Sequence, residues 1–390
     1  MMIVQDLFQL SVFKNFSVVA GYNGLHKKII NVGILDYEFS DGVQPMGEDT
    51  FDPHSLVLSS LLFANQKPEI LIESIEQLIK FKVSALAYKA VFFKDLPDEV
   101  LHFANEQDFP ILRFGGNEFF EDVIFEVKNS IKNREDDLII QNIMRCLIEN
   151  EISELQLQSF LKQMNKPFEK YVFTANIQMI QSKNPQWMGS FLQFQSFLKS
   201  GIVCPYKNSI QILLTDKSEQ LQFTKILKEW MDLYRIPTDG LTIGYGKVHE
   251  THTELHLAVR EAYYARIMAD IETKSVCNYA DLASERLLIE LYRKDAHFTS
   301  SYVKEYLGPL LTENTDKDLL QTAITFVLKN GNVKEIAEAH HCHPNTIRYR
   351  MTKIRHAIEP FGNEFVFYEN LSATVKLYLL HKTIEGTPLD

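Results

Sequence analysis

Cysteine is scarce in this 390-residue chain, and its four cysteines form no pattern. Cys146, Cys204, Cys277 and Cys342 are widely separated along the sequence. Disulfide-stabilised small domains and Cys-x-x-Cys metal sites both require cysteines at short or regular spacings. The sequence therefore contains neither a disulfide framework nor a cysteine metal pair.

Long apolar runs are also missing. No stretch approaches the roughly 18 uninterrupted apolar residues of a membrane-spanning helix, so we expect no membrane partner. The first residues, MMIVQDLFQLSVFKNF, have no positive charge ahead of their apolar residues and no small-residue cleavage site, unlike a secretory signal. We therefore expect a cytoplasmic location.

The motifs of common enzyme classes are not found either. Gly115-Gly116 follows a predicted strand, but no Gly-x-Gly-x-x-Gly or Walker sequence accompanies it. His249, His252 and His256 lack the glutamate of a zinc protease motif, and we interpret their segment as a solvent-facing helix. The consecutive residues 340–343 (His-His-Cys-His) cannot all face one ion from a helix corner. We expect no catalytic residue, no metal and no cofactor, and therefore a protein that is not an enzyme.

The overall charge is acidic, and this restricts the kind of nucleic-acid binding that is possible. The chain has 51 acidic and 40 basic residues, for a formal net charge of −11. Such a balance favours solubility and argues against a general nucleic-acid coat, so any DNA contact must be confined to one module. The length suggests roughly two to four domains, and a 45% hydrophobic content is ample for several cores.

One segment near the C-terminus departs from this acidic average. No acidic residue lies between His343 and His356. The basic residues of this segment are Arg348, Arg350, Lys353 and Arg355. A short helix is predicted just before it, because Asn332 can cap its first turn, and Pro344 suits the first position of the basic helix. Two helices joined by a short turn, the second of them basic, predict a helix-turn-helix that faces DNA phosphates.

The second helix has two distinct faces. At about 100° per residue, one face is apolar and is made of Ile347, Met351, Ile354 and Ile358. The opposite face holds Asn345, Tyr349, Thr352 and His356, with Arg348 and Lys353 on its flanks. Asparagine can pair with adenine and arginine with guanine or phosphate, whereas Arg350 projects nearer the core edge and is interpreted as a structural or phosphate residue. An ordinary basic surface helix of a bundle is the alternative interpretation.

The rest of the chain alternates between strand and helix patterns. Residues 1–130 predict strands near 17–21, 29–35, 55–58, 85–88 and 110–113 with helices between the last three, which implies a parallel sheet. Residues 168–280 predict a second α/β unit that begins with a strand over Tyr171–Met179 and has a hairpin around Lys207-Asn208. The segment 118–164 reads as a connecting helix pair, either a solvated linker or a dimer-forming stalk. From Tyr279 onward the pattern is helical, and Asn370 is predicted to cap the last helix.

The run from His343 to Met351 closely resembles the C-terminal helix-turn-helix of PucR/CdaR-type bacterial transcriptional regulators. The matching residues are Ala337, His343, Asn345, Thr346, Tyr349 and Arg350, and His340 stands where the family usually has leucine. Gly21, Gly24-Leu25 and Gly47-Glu48 resemble the family's N-terminal regulatory domain in order and position. Residues 242–246 and 258–265 resemble its degenerate diguanylate-cyclase-like (GGDEF-like) middle domain.

The hairpin of this middle unit reads Tyr206-Lys-Asn-Ser209. An active cyclase has a glycine pair and carboxylates at this turn, where the glycines admit the nucleotide and the acids hold metal ions. This chain has neither, so two-metal phosphoryl chemistry has no ligands at the hairpin. We therefore expect the middle domain to be catalytically silent.

The resemblance implies an α/β plus all-α fold, with an α/β regulatory domain, a cyclase-like α/β domain without its catalytic motif, and a helical DNA-binding domain. The implied domains are a PucR-like sensor at 1–130, a helical linker at 131–167, the GGDEF-like domain at 168–280, a helical connector at 281–317 and the helix-turn-helix domain at 318–390. The candidate DNA-binding residues are His343, Asn345, Thr346, Arg348, Tyr349, Arg350, Thr352 and Lys353.

The implied function is transcriptional regulation of a metabolic pathway, in response to a small-molecule effector linked to nitrogen or carbon sources. Double-stranded operator DNA is the expected partner, and we expect a homodimer or a higher even-numbered oligomer, because one helix-turn-helix rarely reaches useful specificity. Two alternatives are a signalling enzyme that acts on a cyclic dinucleotide through the middle domain, and a metabolic enzyme that uses the N-terminal domain. The missing metal ligands and catalytic motifs disfavour both.

Overall fold

The computed structural model describes residues 1–36, 50–116, 118–179, 186–236, 238–312, 317–358 and 363–386, with backbone alone at residues 186–188, 190, 192 and 317. The predicted turn at Gly47-Glu48 lies outside the described residues. The chain divides into two compact units, Met1–Ile139 and Ile140–Asp390. Among the described helices, none has the length and apolar composition required to cross a membrane.

The first unit is built on a mixed sheet. Its strands are β1 (Met2–Ile3), β2 (Ser17–Ala20), β3 (Lys28–Ile29), β4 (Asn31–Leu35), β5 (Ser55–Ser59), β6 (Ala85–Lys89) and β7 (Ile111–Phe114). In the described part of this unit, five strands form a sheet in the order β2-β7-β6-β5-β4, and β1 pairs with β3 separately. Strands β4 to β7 are mutually parallel, which confirms the predicted parallel sheet, whereas β2 pairs with β7 in the antiparallel sense.

Both faces of this sheet are covered. Helices α1 (Ile70–Lys80) and α2 (Asp98–Glu106) belong to this unit. Along β5, Val57 belongs to the same buried cluster as Leu71 of α1, while Leu56 and Leu58 belong to a second cluster that includes Val127. The alternation places successive side chains on opposite faces, and all five residues of β5 are buried.

The connection after β2 includes Asn23-Gly24, a pair whose composition predicts a turn. Residues Tyr22–His26 form a 3₁₀ helix. It begins after Gly21, whose φ of +70° suits glycine and whose absent Cβ would lie 2.0 Å from the backbone oxygen of Phe109. Contact with the segment before β7 therefore sets the backbone of this connection.

The predicted connecting helix pair is present. Helix α3 (Phe120–Glu149) begins in the first unit and ends in the second, and α4 (Glu154–Met164) follows it. The Ser153 side chain accepts a hydrogen bond from the backbone N–H of Gln156, and the Gln156 side chain accepts one from the backbone N–H of Ser153. This reciprocal capping box fixes the start of α4.

The second unit contains another sheet. Its elements are β8 (Tyr171–Met179), α5 (Gln186–Phe197), β9 (Gly201–Tyr206), β10 (Ser209–Asp216), α6 (Phe223–Leu233), β11 (Leu241–Tyr245), β12 (His249–Glu250), α7 (Thr251–Ile271) and β13 (Val276–Asn278). Among the described residues the strand order is β13-β11-β8-β10-β9, with β12 paired to β8. The predicted β9–β10 hairpin is confirmed.

Helix α7 packs unusually close to this sheet at Gly244 of β11. A Cβ at Gly244 would lie 2.1 Å from the backbone nitrogen of Arg266. Arg266, only 4% exposed, donates from Nε to Asn176 Oδ1 (2.8 Å) and from Nη1 to Gln178 Oε1 (2.6 Å), and it also pairs with Asp270. Close backbone approach therefore places a charged side chain in a buried polar network, where hydrogen bonds offset its desolvation.

The predicted solvent-facing helix around the histidines is wrong. Most of α7 is buried, including Ala258, Ala262 and Ala265, because these short side chains allow the helix to sit flat on the sheet. His249 lies in β12, between Glu254 (3.2 Å from Nδ1) and Glu261 (3.0 Å from Nε2). Only His252 of the three histidines is exposed.

The turn between α3 and α4 makes a charged junction with two later helices. Glu151 lies 2.8 Å from Nη2 of Arg293 and 3.9 Å from Nη1 of Arg260. The guanidinium side chains are 4% and 6% exposed, while that of Glu151 is 75% exposed. Arg260 Nη2 also donates to the backbone oxygen of Asn150 (2.6 Å), and Arg293 Nη1 to Glu290 (2.7 Å). Burial acts to raise the pKa of Glu151, but the two arginines outweigh it and hold the pKa below its ordinary value.

The end of the chain is helical. Its elements are α8 (Glu285–Lys294), α9 (Ala296–Leu311), α10 (Lys317–Leu328), α11 (Val333–Ala339), α12 (Pro344–Ile358) and α13 (Glu364–Glu385). The start predicted for the last helix was wrong. Asn363 caps α13 by accepting a hydrogen bond from the backbone N–H of Phe365 (2.8 Å), and Asn370 lies inside the helix.

Candidate nucleic-acid interface

Helices α11 and α12 form a tight corner with a shared core. Ile336 and Ala337 of α11 are buried against Ile347, Met351 and Ile354 of α12 in one continuous apolar cluster. The predicted apolar face of α12 is therefore confirmed. Ala337 is 3% exposed, and its small side chain suits the place where the two helix axes approach.

Local hydrogen bonds fix the turn between the two helices. His341 has a φ of +49°, and the backbone N–H of Cys342 donates to the carbonyl oxygen of Ala337 (3.0 Å). This is the pattern of a helix end closed by a left-handed residue. At the start of α11, Asn332 accepts a hydrogen bond from the backbone N–H of Glu335 at 3.5 Å, as predicted for its cap.

His343 performs the capping role at the start of α12. Its ring Nδ1 accepts a hydrogen bond from the backbone N–H of Asn345 (3.2 Å), and its carbonyl accepts one from Thr346 (2.9 Å). A ring nitrogen that accepts a hydrogen bond carries no proton. The sequence pattern placed His343 in the site, but its capping role becomes visible only from the geometry.

The outward face of α12 is polar and exposed, and it contains most of the predicted DNA-binding residues. The exposed members are Asn345, Arg348, Tyr349, Thr352 and Lys353, while Thr346 and Arg350 are half-buried. Arg348 Nη1 donates to Asn345 Oδ1 (2.8 Å), and Lys353 Nζ lies 4.8 Å from the centroid of the Tyr349 ring. These contacts order long side chains on the helix surface without burying their charge.

Arg350 is placed differently from the other basic residues of α12. It forms an ion pair with Asp318 of α10, and its Nη1 donates to Thr322 Oγ1 (3.5 Å). A second polar contact reaches α11, where His340 Nε2 lies 3.1 Å from Thr325 Oγ1. Burial lowers the pKa of His340, and the charge of Arg350 lowers it further, so the ring favours its neutral form.

Sequence reasoning missed part of the surface beside α12. A cleft of about 420 Å³ is lined on one side by Arg348, Thr352, Arg355 and His356 of α12. Its other lining residues include Phe326 of α10, Val333 of α11, and Glu364 and Tyr368 of α13. The sequence predicted Arg355 as a basic residue of α12 and His356 on its outward face, but the contribution of α13 depends on a tertiary contact.

The corner at residues 340–343 does not assemble a metal centre. Within the part of the chain that the structure describes, no group of three or more His, Cys, Asp or Glu side chains could hold an ion. Cys342 is half-buried and His341 and His343 are exposed.

A buried two-helix corner that presents an exposed basic second helix defines a helix-turn-helix module of the DNA-binding class. Residues 319–363 match the family described as the PucR C-terminal helix-turn-helix domain, and residues 6–131 match the purine catabolism regulatory protein-like (PucR) family. The chain therefore carries a PucR-like regulatory region and a PucR-type helix-turn-helix DNA-binding module.

The chain also has a weak structural neighbour but no match among curated proteins. No curated protein matches the chain. A solved structure described as the crystal structure of a regulator of polyketide synthase expression from Bifidobacterium adolescentis is similar at 16% identity. The similarity covers 62% of this chain and 92% of that one, with a TM-score of 0.31.

Proposed function

We propose that this regulator reads operator DNA through the exposed face of α12 and responds to a small-molecule effector. The observation that carries the proposal is the ordered, exposed row of Asn345, Arg348, Tyr349, Thr352 and Lys353 on an otherwise acidic protein. Asparagine and arginine are the side chains that pair with adenine and guanine edges in the major groove. A lysine at the flank neutralises phosphate and contributes affinity without sequence preference.

Two substitutions separate base reading from phosphate binding. Arg348→Ala should weaken binding to the selected operator by about 1–3 kcal/mol, with little change on unrelated DNA. Lys353→Ala should weaken binding to the selected operator and to unrelated DNA alike. It should also reduce the slope of log affinity against log salt concentration by about one unit. Fluorescence anisotropy on duplexes selected from random DNA by the wild-type protein provides both readouts.

Lys225→Ala is the matched control. This exposed lysine lies on α6, outside the helix-turn-helix, so the same loss of charge should leave DNA binding unchanged. Equal effects of Lys225→Ala and Lys353→Ala would mean that binding follows net charge and not the face of α12. An Arg348→Ala protein that bound its operator as tightly as wild type at matched salt would remove Arg348 from the base-reading set.

We assign the sensor role to residues 1–130 and a catalytically silent role to the GGDEF-like residues 168–280, with 131–167 and 281–317 as helical connectors to the DNA-binding residues 318–390. In support of the silent role, Lys207 of the hairpin turn lies 3.2 Å from Glu149, and Tyr206 donates to the same carboxylate (2.8 Å). The turn is thus occupied by contacts with the end of α3. The effector is proposed to be a small metabolite of a nitrogen- or carbon-source pathway, as the family resemblance implies.

We propose that the working form is a homodimer or a higher even-numbered oligomer on a pseudo-palindromic operator. A single helix-turn-helix seldom achieves enough specificity against the many competing genomic sites, so a second copy is needed. Paired modules read half-sites about one helical turn apart, or a multiple of it. Light scattering of the protein–DNA complex gives the stoichiometry. A single chain on one half-site, unaffected when the other half is scrambled, would contradict this assembly.

A further inference from the structure

We propose that Arg350 does not contact DNA and is instead a positioning residue, which Asp318 of α10 holds so that α12 presents its reading face at a fixed rotation. The inference rests on the proposed DNA-binding function and reassigns one residue within it. It starts from burial: the Arg350 side chain is 18% exposed, in contrast to the exposed Arg348 two positions earlier. At about 100° per residue, these two arginines point in nearly opposite directions from the helix axis.

Two of the five N–H donors of Arg350 are engaged within the protein. Its Nη2 donates to Asp318 and its Nη1 to Thr322, one helical turn further along α10. A phosphate contact through these two donors would require the guanidinium to leave both partners, and the side chain is only 18% exposed. The pair with Asp318 also carries no net charge, so it adds little to the attraction of α12 for phosphate.

Helix α10 makes a second polar contact, with α11, in addition to the Arg350–Asp318 ion pair. Thr325 Oγ1 of α10 lies 3.1 Å from Nε2 of His340, which is the C-cap residue of α11. The polar edge of α10, defined here as Asp318, Thr322 and Thr325, therefore reaches both helices of the corner. The apolar contacts beneath α12 are non-directional, so they resist separation more than rotation of the helix. An ion pair with a fixed guanidinium geometry restricts that rotation.

The two roles make different predictions for DNA binding. A phosphate contact contributes to specific and non-specific binding alike and to the salt slope. A positioning residue affects the reading of bases, while the phosphate-binding charge of the surface stays the same. Its effect must also depend on Asp318, which a direct DNA contact would not require.

The test is a double-mutant cycle on the full-length protein with Arg350→Gln, Asp318→Asn and the two together. The probes are a duplex selected by the wild type and a scrambled duplex, each titrated over a range of salt. We expect each single variant to lose about tenfold in affinity for the selected duplex, and the double variant to lose no more than either single one. Binding to the scrambled duplex and the salt slope should remain those of wild type.

Lys353→Ala serves as the phosphate-contact reference in the same titrations. A salt slope for Arg350→Gln reduced as in Lys353→Ala, together with wild-type behaviour of Asp318→Asn, would overturn the proposal. Additive losses in the double variant would overturn it as well. Retained binding to the scrambled duplex and an unchanged circular dichroism spectrum verify that the variants fold. If the wild type itself selects no duplex, the proposed function fails, and that outcome is distinct from failure of the positioning role.

Discussion

The close contact between β11 and α7 yields the sharpest prediction about stability. In Gly244→Ala, the new Cβ would lie 2.1 Å from the backbone nitrogen of Arg266 and 2.3 Å from the backbone oxygen of Ala262. Ordinary contact distances are about 3.5 Å, so strand and helix must separate by more than about 1 Å. Overpacking usually costs about 1–3 kcal/mol, and because main-chain atoms must move here we expect about 3 kcal/mol.

Urea unfolding followed by tryptophan fluorescence measures this loss where it occurs. Both tryptophans of the chain, Trp187 and Trp230, lie within residues 168–280, so the signal reports on this sheet. Gly189→Ala is the control, because nothing lies within 4 Å of its added Cβ inside helix α5. It should stabilise the protein by up to about 1 kcal/mol. Equal unfolding midpoints for Gly244→Ala and wild type would refute the argument that glycine at 244 is required for packing.

Three further predictions concern other parts of the molecule. Ile354→Ala removes a fully buried side chain of α12 and should lower the free energy of unfolding by about 2–5 kcal/mol in urea; a loss below 1 kcal/mol, as for an exposed site, would contradict the packed corner. Burial lowers the pKa of His249, but Glu261 and Glu254 outweigh it and raise the pKa above its ordinary 6.5. Stabilisation by the charged His249 ring should therefore be complete below pH 6.5 and be lost as pH rises through the raised pKa. A series of unfolding curves at different pH values measures this loss. His249→Gln should not show it. Incubation with GTP and a divalent metal should yield no cyclic dinucleotide above a no-protein control, and clear product would restore the signalling-enzyme alternative.

Local periodicity was enough to predict much of the fold. The bounds of β8 match the sequence prediction at both ends, and the apolar face of α12 was identified residue by residue. These patterns repeat every two or 3.6 residues, so a short window of sequence contains the information. The helix-turn-helix was predicted for the same reason, since its caps and faces all lie within about 30 residues.

Partners that are distant in sequence could not be predicted in this way. Asp318 is 32 residues from Arg350, and Asn176 is 90 residues from Arg266, so no local pattern joins them. Strand β13 was missed because three residues with one buried side chain give no periodic signal. The wrong start of α13 has a different cause: two asparagines near its beginning were both suitable caps, and local sequence did not distinguish them.

The charged junction at Glu151 has a consequence for which substitutions this protein tolerates. An exposed glutamate in a turn is ordinarily among the most freely replaced residues of a protein. Glu151, however, serves two guanidiniums that are almost completely buried. Removing it takes a carboxylate away from two buried cations at once, although Arg293 keeps Glu290 and Arg260 keeps the carbonyl oxygen of Asn150, and this is more unfavourable than losing a surface ion pair. We therefore expect Glu151 to be replaced slowly during evolution despite its exposure. Any replacement should persist only alongside changes at Arg260 and Arg293.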